Sequence, residues 1–201
     1  MVEDRFTNIL HRYWGYPDFR GIQRDIIESV AAGRDTLGLM PTGGGKSLTF
    51  QVPAMGTDGV CVVVTPLIAL MKDQVLNLRK RGIKADAIYS GRSRSEIIQV
   101  LENSIFGGVK ILYVSPERLS SELFQIKFRH MKVSFITVNK NMKPTASANG
   151  GMISARHTWK LQPSATSSPM FLCSLSLPRL LHAWWMTFRN GWLSRRRMSS
   201  G

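Results

Sequence analysis

Met40-Pro41-Thr42-Gly43-Gly44-Gly45-Lys46-Ser47 joins an apolar run to a stretch with helical spacing. Three successive glycines let backbone amides turn inward around an anion, because glycine accepts the positive φ such a turn needs. Lys46 offers a point charge to terminal phosphates, and the Ser47 hydroxyl can ligate Mg2+. A helix opening directly afterwards adds the positive end of its dipole. The pattern GxxxxGK[ST] is met except at its first glycine, where Met40 stands. The competing reading is a flexible glycine loop carrying a solvated lysine. The order strand, loop, helix favours a phosphate loop.

The flanking chain supplies that order. Thr36–Met40 reads as a short strand, and Lys46 to about Ala54 as the helix that follows. Upstream, Phe6–Trp14 and Ile22–Ala32 have amphipathic spacing, the second ended by Gly33. Downstream, Val60–Thr65 is a continuous β-branched run, as a strand buried on both faces requires. Leu67–Arg79 and Ser93–Phe106 read as helices, and Ala85–Tyr89, Val109–Val114 and Val133–Val138 as strands. Strands alternating with helices predict an α/β fold with a parallel sheet flanked by helices. Functional residues then belong at the carboxyl ends of the strands. Ahead of the second helix stands Phe19-Arg20-Gly21-Ile22-Gln23. Gln23 carries both a donor and an acceptor, which suits the edge of adenine, although a lone glutamine there is more simply a solvated cap.

These strings together resemble the first motor domain of RecQ-type superfamily 2 DNA helicases. The resemblance rests on Phe19-Arg20 with Gln23, on MPTGGGKS, on TPLIALMKDQV from Thr65 to Val75, and on YVSPERL from Tyr113 to Leu119. It covers nearly all of residues 1–138. It implies a RecA-like lobe with ATP and Mg2+ as cofactors and single-stranded or forked DNA as partner. Arg20, Gln23, Thr42, Gly43, Gly44, Gly45, Lys46 and Ser47 would bind nucleotide, and Ser47 would also face the metal. Thr65, Ser115 and Arg118 would contact DNA phosphates. The lineage is that of ATP-dependent 3′–5′ helicases of DNA repair and recombination, placed in the cytoplasm and at the nucleoid if the source is bacterial. That family's phosphate loop often dispenses with the first glycine.

The pattern breaks after Val138. A phosphate-hydrolysing motor needs an acid that holds Mg2+ and a base that positions the attacking water. The family carries both in a DEAH box directly after a strand like Phe135-Ile136-Thr137-Val138. Here that strand is followed by Asn139-Lys140-Asn141-Met142-Lys143, and no carboxylate occurs again. Of the net charge of +14, residues 139–201 supply +9 from nine Lys/Arg with no acid. Folded surfaces normally mix both signs. Moving the reading frame back one nucleotide from Met142 changes the picture. Met142-Lys143 then forces a glutamate, and Trp184-Trp185-Met186-Thr187 forces Val-Asp-Asp. Permitted choices elsewhere restore Asp-Glu-Ala-His, an aromatic-rich segment and a Thr-Ala-Thr motif in family order. Asn141 cannot supply the base needed for the first aspartate, so Asn139–Asn141 read as junction sequence.

The expected organisation is therefore a partial ATP-binding lobe over 1–138 and an out-of-frame, disordered basic tail over 139–201. The second lobe, the Thr-Ala-Thr segment and later zinc-binding and winged-helix regions are missing on this reading. Without the strand that leads to Thr-Ala-Thr, an unpaired edge beside the phosphate-loop strand is expected. His157, Trp159, His182, Trp184, Trp185 and Trp192 mimic a base-stacking surface, and Arg195-Arg196-Arg197 a nucleic-acid clamp. Both are more simply out-of-frame translation. The function expected is a truncated helicase unable to hydrolyse ATP or unwind DNA. The alternatives are a non-catalytic nucleotide- and DNA-binding module, and a membrane-associating protein built on Leu172–Trp192.

Remaining features exclude other classes. Cys61 and Cys173 lack metal spacing and suggest no disulfide scaffold, and Cys61 reads as a buried thiol. The acidic start MVEDRFTNILHRYWG has no signal-peptide core. No run of 18 apolar residues exists to cross a bilayer. No specific protein partner is deducible.

Overall fold

The computed structural model describes residues 4–38, 40, 43–139 and the backbone of 172–174. Two helices come first, α1 (Arg5–Trp14) and α2 (Gln23–Ala31), then strand β1 (Thr36–Gly38). Beyond the glycine loop follow α3 (Leu48–Gly56), β2 (Val60–Val64), α4 (Ile68–Lys80), β3 (Ala85–Ile88), α5 (Arg94–Ile105) and β4 (Ile111–Val114). The lobe continues with α6 (Pro116–Leu119), α7 (Glu122–Phe128) and β5 (Val133–Val138), and β6 (Leu172–Ser174) stands apart in sequence.

The main sheet has the order β3-β4-β2-β5, and all its pairings are parallel. Every residue of β2 is buried, because the sheet is covered on both faces. Alternation along the strand divides the core in two. Cys61 and Val63 face a layer built with Ile26, Phe50, Met71 and Leu78 from α2, α3 and α4. Val60, Val62 and Val64 face Ile97, Leu101, Phe124 and Phe128 from α5 and α7. Burial pushes the Cys61 thiol well above its ordinary pKa, as suits an inert core cysteine.

Helix ends follow local chemistry. Asp4 caps α1 by accepting from the Phe6 amide, and Gly15 closes that helix at φ 71°. Ser93 and Glu96 form a reciprocal capping box at the start of α5. Those hydrogen bonds from Ser93 hold the Glu96 carboxyl below its ordinary range.

The structure departs from the sequence expectation beside the phosphate loop. The edge of β1 is not left unpaired. β6 pairs with it antiparallel, in the register Thr36↔Ser174, Leu37↔Cys173 and Gly38↔Leu172, and also lies close to β5. The physical reason is that an unpaired strand edge recruits any extended backbone within reach. Three residues of the expected tail thus lie in a strand. Apart from Asn139, the remaining tail, including the six aromatic and histidine positions and Arg195–Arg197, lies outside the described residues. Among the described residues no helix is long and apolar enough to cross a membrane.

Candidate nucleotide-binding site

A cleft of about 440 Å³ lies at the far end of the sheet around Asp86, and a larger one of about 730 Å³ opens at the glycine loop. The larger cleft is lined by Gly43–Ser47 together with Arg20, Gln23, Gln51, Arg81 and Asn139. It gathers the expected nucleotide residues from three separate parts of the chain, except Thr42, which lies outside the described residues.

The loop is shaped for an anion. Gly43 and Gly45 have φ of 80° and 68°, values that side chains disfavour. The Leu48 amide donates to the Gly45 carbonyl at 3.1 Å, and the Thr49 amide to the Lys46 carbonyl at 3.1 Å. The amides of Gly44, Gly45, Lys46 and Ser47 donate to no carbonyl of a described residue, so they are available to a ligand. Lys46 forms no ion pair among the described residues. The Ser47 side chain makes no capping bond to α3. Open amides, an unpaired ammonium and a free hydroxyl at a helix start fit a polyphosphate.

Gln23 is placed differently from the expectation. It is only 2% exposed. Its Oε1 accepts from the Arg20 amide at 2.8 Å, and its Nε2 donates to the Gly44 and Gly45 carbonyls at 3.0 and 3.4 Å. The side chain therefore ties α2 to the phosphate loop. Reading an adenine edge requires exchange of those bonds. Sequence reasoning missed this because the partners lie 21 and 22 residues away.

The segment bearing Arg20 and Gln23 is fastened by Arg24. Its guanidinium contacts Asp4 at 2.5 Å and Asp18 at 3.2 Å, and lies 5.2 Å from the Phe19 ring centroid. The Phe19 amide, then Arg24, hold the Asp18 carboxyl below its ordinary range. Leu10, Ile27 and Val52 lock α1, α2 and α3 together beneath.

A side chain at Gly45 would have to displace the end of the Gln23 side chain. A Cβ there would lie 2.4 Å from Gln23 Nε2. Gly45→Ala combines this clash with a positive φ and is expected to cost about 1–2 kcal/mol. Urea unfolding checks it, and a loss under about 0.5 kcal/mol would mean the loop relaxes freely.

The metal side of the cleft does not match the loop. Asn139 follows β5 directly and is 4% exposed. Its amide donates to the Val64 carbonyl at 2.8 Å, whereas its Oδ1 finds no partner among the described residues. Among the cleft's lining residues Asp18 is the single carboxylate, and it is paired with Arg24. Among the described residues no cluster of three or more ligands could hold a metal ion. The residues present fit nucleotide phosphates and do not fit a tightly held Mg2+.

The expected DNA contacts sit at the carboxyl ends of β2 and β4. Thr65 and Ser115 are each 1% exposed, so neither hydroxyl presents itself to a phosphate. Ser115 donates to Glu117 Oε1 at 2.5 Å, and Ser90 donates to the same oxygen at 2.6 Å. Partial burial pushes the Glu117 carboxyl up, but hydrogen bonds from Ser115 and Ser90 outweigh it and hold the group below its ordinary value of 4.5. Arg118 is half-buried, with Nε unpartnered among the described residues. The same end of the sheet carries a pair that sequence reading passed over. Lys72 and Arg92 lie 5.1 and 5.5 Å from the Tyr89 ring centroid. Lys72 was visible within TPLIALMKDQV, but its partner ring is 17 residues further on.

Comparison with known proteins identifies the family. The family described as DEAD/DEAH box helicase matches residues 20–138. The chain is 41% identical over 133 residues to an "ATP-dependent DNA helicase RecQ" of Pasteurella multocida, covering 66% of this chain and 21% of that protein. It is 48% identical over 113 residues to the RecQ of Synechocystis, covering 56% and 24%. It is 39% identical over 137 residues to the RecQ of Bacillus subtilis, covering 68% and 23%. The chain thus spans about a quarter or less of the length of these three relatives.

Proposed function

The chain belongs to the DEAD/DEAH box helicase family, with a RecQ-type first lobe, and on that premise we propose that it binds ATP and DNA without turning ATP over. The observation that carries this reading is the cleft itself. Its phosphate loop carries Gly43–Ser47 around the cleft, and the residue beyond β5 is Asn139 instead of an acid.

Each residue has a defined part. The open amides of Gly44–Ser47 surround the phosphates, and Lys46 neutralises the terminal ones. Gln23 and Arg20 carry loop position to the base side of the cleft through their mutual bond. ATP, when bound, would place its phosphoanhydrides against the loop without their being cleaved. Cleavage needs an attacking water held by a general base, and among the residues lining the cleft no unpaired carboxylate is available for it.

DNA is held at the carboxyl ends of the strands. Lys72 offers exposed charge there and Arg118 stands beside Ser115, whereas Arg92 is paired with Asp86 at 3.1 Å. Lys72→Ala is expected to weaken single-stranded DNA binding and to reduce the slope of log K against log salt by about 0.7. An unchanged slope in salt-titrated filter binding would remove Lys72 from the interface. This activity places the chain with cytoplasmic DNA, at the nucleoid in a bacterium, and within the lineage of repair and recombination helicases.

Residues 139–201 are read as out-of-frame. The family match ending at Val138 supports this, as does the absence of any acid beyond that point. The test is the gene and transcript sequence across the codons for Val138 to Met142. A break in both supports the reading. An uninterrupted frame into Asp-Glu-Ala-His would make residues 139–201 a misreading of the gene and return hydrolysis to its product, whereas a gene with no Asp-Glu-Ala-His in any frame there would overturn the out-of-frame reading.

A further inference from the structure

We propose that this site takes a nucleoside triphosphate as the metal-free anion, so that its affinity gains nothing from Mg2+. The inference rests on the nucleotide-binding reading above and goes beyond it by specifying the ligand's ionic form.

Three observations carry it. Twelve of the chain's thirteen carboxylates lie among the described residues, and only Asp18 lines the cleft. Asp18 accepts from Arg24 and from the Phe19 amide, both through Oδ1, so its charge is already shared with a guanidinium. The thirteenth, Glu3, lies before α1, and residues 139–201 contain none.

The second observation is Asn139. It occupies the end of β5 on the cleft wall, buried, with Oδ1 unpartnered among the described residues. A neutral amide oxygen is a weak replacement for a carboxylate toward a hard cation that gives up its water reluctantly. Gln51, Gln74 and Asn77 add further neutral amides to the cleft wall, with Gln51 Nε2 donating to Gln74 and Tyr113. Apart from Asp18, the side-chain oxygens that line the cleft, those of Ser47 and Asn139 among them, are therefore uncharged.

The third is charge. Arg20, Lys46 and Arg81 line the cleft against a single carboxylate that is already paired. A metal-free triphosphate carries two more negative charges than its Mg2+ complex, and a cationic cleft favours the more negative form. The protein thus offers the positive charge that Mg2+ would otherwise supply, and Asp18 is the one carboxylate among the cleft's lining residues.

The experiment titrates the whole chain with a fluorescent ATP analogue at matched ionic strength, once in excess Mg2+ and once in excess chelator. Affinity in chelator equal to that in Mg2+ within about twofold, or tighter, is expected. Affinity roughly tenfold tighter in Mg2+ would overturn the inference while leaving nucleotide binding intact. Absence of saturable binding in both conditions would instead overturn the nucleotide-binding reading. Asn139→Asp is expected to gain Mg2+ dependence of roughly tenfold. A folded Asn139→Asp chain that stays indifferent to Mg2+ would show that this position does not set the preference. The wild-type comparison stands without the variant.

Discussion

Replacing Phe50 by alanine is expected to destabilise the lobe by about 3–5 kcal/mol. Phe50 is fully buried in α3, one turn beyond the phosphate loop, and packs in the layer with Cys61, Val63 and Met71. The sheet and the α2–α4 layer are close-packed on that side, so the void left by the ring cannot collapse without moving α3. Domains of this size have only about 5–15 kcal/mol of total stability, so the loss takes a large part of it. Urea unfolding should show a lower midpoint at unchanged slope. A loss under about 1 kcal/mol would mean that α3 is not anchored as described.

Lys46→Ala is expected to weaken nucleotide binding roughly 10- to 100-fold, the value of a hydrogen bond to a charged group. The substitution should leave folding intact, because Lys46 forms no ion pair among the described residues and is only half-buried. That asymmetry separates it from Phe50→Ala, where binding is lost through loss of the fold. Titration of wild type and variant with a fluorescent nucleotide, alongside their melting curves, checks it. Unchanged affinity would mean that the ammonium does not reach the phosphates.

Much of this was readable from sequence, for identifiable reasons. The β-branched run at β2 and the alternation of strand and helix patterns specify a sheet covered on both faces, and that sheet is present. The helix after the loop begins at Leu48, not Lys46, because Gly45 and Lys46 accept tight turns from Leu48 and Thr49 first. The strand before it ends at Gly38, short of the expected Met40. The seven-residue α7 was not foreseen, since one and a half turns give too little periodicity to read.

Features that depend on distant partners were not legible. Gln23 looks like a ligand-reading amide in sequence, yet its carboxamide is engaged by Arg20, Gly44 and Gly45. Thr65 and Ser115 have the right positions at strand ends, but burial and the Glu117 clamp withdraw their hydroxyls. The pairing of β6 with β1 depends on a free strand edge, which no local pattern in Leu172–Ser174 encodes. The departure at Asn139 was legible, because a required carboxylate is a matter of residue identity alone.

The most direct test of the account is phosphate release from ATP by the intact chain, with saturating Mg2+ and single-stranded DNA, under conditions where nucleotide binding has been demonstrated. The account predicts saturable nucleotide binding with no DNA-stimulated release above a Lys46→Ala control. DNA-stimulated turnover in the usual enzymatic range of about 1 s⁻¹ or faster would contradict it. The chain would then position an attacking water without a carboxylate at the end of β5.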